Sequence, residues 1–109
     1  MIMKTETKPQ ETCPVKITID LISGKWKPNI LYYLGEDTQR FGQLQRKIPS
    51  ISRRVLTLQL KELERDYLIQ RKAYLSPLKV EYSLTQEGRS LIPILISMKQ
   101  WGEVYLASR

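Results

Sequence analysis

Residues 52–65 read SRRVLTLQLKELER. Leu56, Leu60 and Leu63, with Tyr67 just beyond, recur at spacings of four, three and four, which makes a core-facing helical stripe. At about 100° per residue, Arg54, Leu58, Lys61 and Arg65 fall on the opposite side, flanked by Arg53 and Thr57. Ser52 suits the N-cap, because its hydroxyl oxygen can accept from an unpaired N–H of the first turn. A helix that only packs on a core needs the leucines. It needs neither an acid-free front half nor a leucine set among cations. One surface leucine alone is commonplace; here it coincides with a charge pattern.

Working outward, Phe41, Leu44 and Ile48 form the apolar face of a short helix over Phe41 to Lys47. Pro49 closes it, and Ser50, Ile51 and Ser52 make the turn into the decisive helix. On the other side, YLIQRKAYL (67–75), the turn SPLK and VEYSL (80–84) read as a β-hairpin. Val80, Tyr82 and Leu84 alternate with Glu81 and Ser83, Pro77 sits in the turn and Lys79 at its exit. Thr85 can cap a final helix, with Glu87 in its first turn, where the helix dipole favours a negative charge. That helix runs to about Ala107, and Pro93 should kink it or open a turn.

Upstream, KWKPNILYYLGE (25–36) reads as a helix with Pro28 in its first turn, Ile30, Leu31 and Leu34 on one face and Gly35 as its C-terminal stop. Before it, PVKITIDLIS (14–23) is ambiguous: Val15, Ile17, Ile19 and Leu21 alternate like a strand, while Val15, Ile19 and Ile22 fit a helix face. Ser23-Gly24 ends the segment. The polar residues 1–12 lack the apolar core of a secretory signal and read as a flexible arm before one domain, 13–109. No apolar run is long enough for a bilayer, so a cytoplasmic protein without a membrane partner is expected.

The 109 residues allow only a modest core. The net charge of +7 favours polyanionic partners, nucleic acid first. Its distribution is sharper: Arg40, Arg46, Lys47, Arg53, Arg54 and Lys61 follow one another with no Asp or Glu between them. Glu36 and Asp37 precede this segment, and Glu62, Glu64 and Asp66 follow it. One cysteine and no histidine argue against a disulfide framework, a zinc site or a Ser-His or Cys-His device. Glu62 and Glu64, two apart on a helix, point in different directions and are no catalytic pair. No enzyme, metal or cofactor is expected.

Two helices joined by a tight turn, then a hairpin with a basic tip, describe a winged helix-turn-helix: α+β, mainly α, with a two-stranded wing and a long C-terminal dimerisation helix. The major groove of DNA admits one helix. Arg53 and Arg54 can pair with guanine N7 and O6, Thr57 and Leu58 can meet a thymine methyl group, and Lys61 adds charge. Ser52 can donate to a phosphate. Arg71, Lys72 and Lys79 of the wing would track phosphate or enter the minor groove. The last helix is apolar nearly all round: Leu91, Leu95, Met98 and Tyr105 make one stripe, and Ile92, Ile94, Ile96, Trp101, Val104 and Leu106 broaden it. One side can pack on its own core; a second copy would cover the other. Trp26 and Trp101 are expected to pack in a core rather than line an effector cavity.

The chain resembles the HxlR-type winged-helix regulators within the MarR-like group. The residues that carry the resemblance are CP at 13–14, GKWK at 24–27, RFGQLQRKIPSIS at 40–52, LTLQLKELERDYLIQR at 56–71, VEYSLTQEGRSL at 80–91 and the tryptophan-glycine pair at 101–102. It spans about residues 13 to 105. The resemblance implies a helix at 14–22 and a dimer built from the first and last helices, with Val15, Ile19, Leu95, Met98, Trp101 and Tyr105 in the interface. It implies double-stranded DNA as partner, an operator with two-fold symmetric half-sites, and DNA contacts from Arg40-Phe41, from Ser52 to Arg65 and from the wing, Arg71 to Lys79. Many relatives carry glutamine near position 58, where this chain has Leu58, which favours a methyl contact over a hydrogen bond.

A cysteine near position 13 senses oxidants or electrophiles in several such regulators. Cys13 is accordingly a candidate redox sensor, because a helix N-terminus raises thiolate fraction and Lys16 lies one turn along. The plain alternative is an inert N-cap in the dimer seam. The function expected is a sequence-specific, dimeric DNA-binding repressor responding to a small reactive molecule or oxidant. The competing reading is a winged-helix protein-interaction module whose basic helix docks an acidic protein, and competition by duplex DNA separates the two.

Overall fold

Prolines and polar caps set where the helices begin. The computed structural model describes residues 13–109; the proposed arm, 1–12, lies outside them. The order is α1 (Pro14–Ile22), α2 (Lys27–Glu36), α3 (Phe41–Lys47), α4 (Arg53–Arg65), β1 (Ile69–Leu75), β2 (Leu78–Leu84), α5 (Gln86–Ser90) and α6 (Ile92–Ala107). Pro14, Pro28 and Pro93 sit in the first turns of α1, α2 and α6, where a missing N–H costs no helical bond. The segment at 14–22, which periodicity left open, is helical. Gly24, at φ 109°, turns the chain from α1 to α2 in a conformation that side chains disfavour.

The core lies between α2, α3, α4 and the base of the hairpin. Ile30, Leu31, Leu44, Leu56, Leu60, Leu63 and Ile69 are fully enclosed, and Ile48 and Ile51 of the α3–α4 turn are buried with them. The strands pair antiparallel, from Ile69 opposite Leu84 to Leu75 opposite Leu78. Gln39 exchanges two backbone bonds with Tyr82, at 3.0 and 2.8 Å, so the α2–α3 connection clamps the hairpin at its root. The architecture is mainly helical with a two-stranded wing, as the sequence leads one to expect.

Several local expectations need correction. Tyr67 is not on the core stripe of α4. The helix stops at Arg65, the Leu68 and Tyr67 N–H groups bond to Leu63 O and Glu64 O, both at 3.0 Å, and Tyr67 sits at φ 62°, 67% exposed. This is a Schellman ending with tyrosine where glycine is usual; Leu68 enters the core instead. Gly35 does not stop α2, which continues to Glu36. It marks close packing, since a Cβ there would come within 2.8 Å of Ile92 Cδ1. The single final helix is two: Leu91 breaks it, and Pro93 opens α6 rather than kinking a continuous rod. Gly88 of α5 lies so close to Leu68 O that a Cβ would sit 2.0 Å away.

α6 gives little to the core. Leu95 is buried, as is Leu91 just before the helix, while Ile94, Ile96, Met98, Trp101, Val104, Tyr105 and Leu106 are exposed. Leu95, expected in a subunit interface, is only 6% exposed; it belongs to the protomer's own core and backs the apolar face. Trp26 packs against the core edge as expected, but Trp101 does not, being 69% exposed and stacked on Tyr105 with ring centroids 5.2 Å apart. Val15 and Ile19 of α1 are exposed too.

Candidate nucleic-acid interface

The helix-turn-helix is held by side chains at its corners. The Ser52 hydroxyl accepts from the Val55 N–H at 3.1 Å and caps α4. At α3, Arg40 takes the N-cap position, and its own N–H donates to Gln43 Oε1 at 2.7 Å. The Arg53 guanidinium lies over the Phe41 ring, 4.8 Å from its centroid, which ties the front of α4 to the front of α3. Arg53 is therefore the less free of the two adjacent arginines.

Arg40, Ser52, Arg53, Arg54, Thr57, Leu58 and Lys61 are all exposed. Leu58 is 54% exposed. From Arg53 to Lys61 the side chains span about 12 Å of helix axis, comparable with the width of a major groove. The Thr57 hydroxyl donates to Arg53 O at 2.8 Å, so its proton is used, and it retains a methyl group and an acceptor. Among the described residues, no carboxylate lies within ion-pair distance of Arg54 or Lys61.

Sequence reasoning missed the support behind this face. Lys27, at the start of α2, is only 8% exposed, and its Nζ lies 2.7 Å from Glu62 Oε1 of α4. A cation at a helix N-terminus opposes the dipole, so Glu62 supplies the compensation. The hydrogen bond from Lys27, then its charge, hold the Glu62 carboxyl below its ordinary pKa, against a smaller opposing effect of burial. No local signal marks the pair, because its members are far apart in the chain.

The wing departs from expectation. Its strands extend to Leu75 and Leu78, so Lys79 lies within β2 opposite Tyr74 rather than at the turn exit. Its ammonium is 3.4 Å from Glu81 Oε2 and 5.0 Å from the Tyr74 ring centroid. The tip is apolar, not basic, with Leu75 and Leu78 the exposed pair. Arg71 and Lys72 of β1 are exposed and, among the described residues, have no carboxylate at ion-pair distance.

Cys13 is an exposed free thiol at the N-cap of α1. Lys16, expected to assist it, is instead paired with Asp20 at 3.0 Å, one turn further along. Among the described residues there is no cluster suited to a metal ion, and no helix is long and apolar enough to cross a membrane.

The chain is similar to proteins whose names agree with this geometry. The uncharacterized HTH-type transcriptional regulator YdeP of Bacillus subtilis is 52% identical over 96 residues, covering 87% of this chain and 75% of YdeP. The redox regulator HypR in its reduced form superposes with a TM-score of 0.83 at 48% identity, covering 89% of this chain and all of that one (100%). The reduced transcriptional regulator YodB of B. subtilis gives a TM-score of 0.77 at 31% identity, over 84% of this chain and 92% of that one. The family model described as HxlR-like helix-turn-helix matches residues 21–109. The chain thus belongs to the HxlR-like helix-turn-helix family: it is a transcriptional regulator of helix-turn-helix type, and not an enzyme.

Proposed function

We infer that the protein is a dimeric repressor that binds a two-fold symmetric operator and releases it on oxidation. The observation that carries the DNA contact is the free face of α4, where Arg54, Thr57, Leu58 and Lys61 are exposed without a carboxylate partner among the described residues. Arg54 reads a guanine edge, Leu58 and Thr57 contact a thymine methyl, and Ser52, Arg53, Lys61 and Arg40 hold phosphate. The wing adds Arg71; Lys79 contributes less, since Glu81 already compensates it.

The dimer rests on the exposed apolar residues of α1 and α6, among them Val15, Ile19, Met98, Trp101 and Tyr105. Such a patch in water calls for a cover, and a second copy brings the same patch. The redox reading rests on exposed Cys13 and on the likeness to HypR, whose oxidised form superposes with a TM-score of 0.78 at 50% identity, over 84% of this chain and 96% of that one. Two Cys13 thiols, one per protomer, give up two protons and two electrons to the oxidant and join as a disulfide; a small thiol partner gives a mixed disulfide instead. Either product at the head of α1 alters the spacing of the two α4 helices.

The test is selection of duplexes from a random pool by the reduced protein, followed by diamide treatment. A palindromic motif with half-sites about one helical turn apart is expected, with binding lost after diamide and kept by Cys13→Ser. Retention without any motif, together with displacement of bound duplex by an acidic protein, would favour the interaction-module reading instead. A Cys13→Ser protein that still responds to diamide would end the sensor reading.

A further inference from the structure

The wing ends in two leucines that none of the described residues covers. Leu75 and Leu78 face one another across the last rung of the hairpin, and Ser76-Pro77 closes the turn. They are 88% and 80% exposed, the most exposed large apolar side chains among the described residues. At that exposure they bury almost nothing against each other, so cross-strand packing does not account for them. The hairpin is anchored at its far end, where Ile69 and Leu84 are buried and Tyr82 is clamped by Gln39. From that root to the tip the ribbon projects about 20 Å. Along it, Arg71 and Lys72 have no carboxylate at ion-pair distance among the described residues, whereas Lys79 is neutralised by Glu81. The wing is therefore an apolar point on a cationic stem.

We propose that Leu75 and Leu78 enter the minor groove beside the half-site read by α4 and wedge against a base step, bending the duplex. This rests on the DNA-binding reading above. A minor groove about 6 Å wide excludes a whole two-stranded ribbon but admits the tips of its last side chains. Leucine, isoleucine and proline are residues that unstack base steps in this way. The sugar walls give the leucines an apolar surface, and Arg71 and Lys72 neutralise the flanking phosphates. A tip built only to follow phosphate would carry polar or basic side chains. Pyrimidine–purine steps, which unstack most easily, are favoured at the contact, so selectivity extends to base pairs outside the reach of α4.

The experiment uses a duplex selected by the wild-type protein. 2-Aminopurine is placed at each step flanking the half-site in turn, and the site is permuted along a longer fragment to measure bending. The wild type should raise fluorescence at one flanking step and bend the fragment. Leu75→Ser/Leu78→Ser, whose changes lie in solvent, should fold normally and keep the half-site motif and the salt dependence. It should lose the bend and the fluorescence rise, and bind about 10-fold more weakly. A wild-type complex with every flanking step stacked overturns the proposal and leaves the α4 reading intact. So does a double variant that bends DNA equally well, or one altered only in its association with other protein chains. If the wild type selects no motif, the DNA reading fails and this proposal fails with it.

Discussion

Glu62 is the first acid after a long cationic stretch, and its partner is not DNA but Lys27. Replacing it with glutamine leaves a cation buried at a helix N-terminus. A fully buried pair loses several kcal/mol when broken, but Glu62 keeps about a third of its surface in water, so the expected loss for Glu62→Gln is about 2 kcal/mol, read from urea unfolding at neutral pH. The pH dependence has a definite sign. The folded state holds this carboxyl below the ordinary value of 4.5. Its stabilisation is therefore complete above that value and is lost as pH falls through the lower folded pKa. The stability gap between wild type and Glu62→Gln should narrow below pH 4.5 and stay constant above it. Tyr67 works in the other direction. Its left-handed backbone costs a side-chain-bearing residue about 1–2 kcal/mol, while glycine gives back part of that through unfolded-state entropy. Tyr67→Gly should raise stability by about 0.5–1 kcal/mol, seen as a higher urea midpoint at unchanged slope.

At the scale of elements, α4 is one member of a braced frame. Ser52 caps it, Arg53 on Phe41 holds its front to α3, and Glu62 holds its rear to α2. The frame closes where α5 meets Leu68. The Thr85 hydroxyl donates to Tyr67 O at 2.6 Å and accepts from the Gly88 N–H at 3.0 Å. Gly88 itself has no room for a side chain. The obstacle is backbone, which cannot swing aside as the Ile92 side chain near Gly35 can. Gly88→Ala should therefore cost about 3 kcal/mol, whereas Gly35→Ala is milder; thermal unfolding of the two variants side by side checks the contrast.

For the whole molecule, the radius of gyration is 15.4 Å, above the roughly 13 Å usual for a domain of this length. The wing tip and many apolar residues of α1 and α6 are exposed among the described residues. In the proposed dimer, Trp101 and Met98 lie where the partner packs. Trp101→Glu should shift sedimentation from dimer to monomer at micromolar concentration. It should also weaken operator binding at least 10-fold, since one half-site then binds without the other. A variant that still sediments as the wild type would remove Trp101 from the interface.

Much of this was legible in the chain itself, for a physical reason. Helical stripes, caps and charge runs are local properties, so SRRVLTLQLKELER announced both its buried and its free face, and the helix-turn-helix with its wing followed from neighbouring segments. The resemblance decided 14–22, where periodicity alone could not. What depended on a distant segment was hidden. The Lys27–Glu62 pair, the crowding at Gly35 and Gly88, the burial of Leu95 and the exposure of Trp101 each depend on what another element places opposite. The end of α4 at Arg65 and the break at Leu91 were likewise set by packing. Tyr67 and Leu91 do not forbid a helix, but the core has places for Leu68 and Leu95 only if the chain turns there.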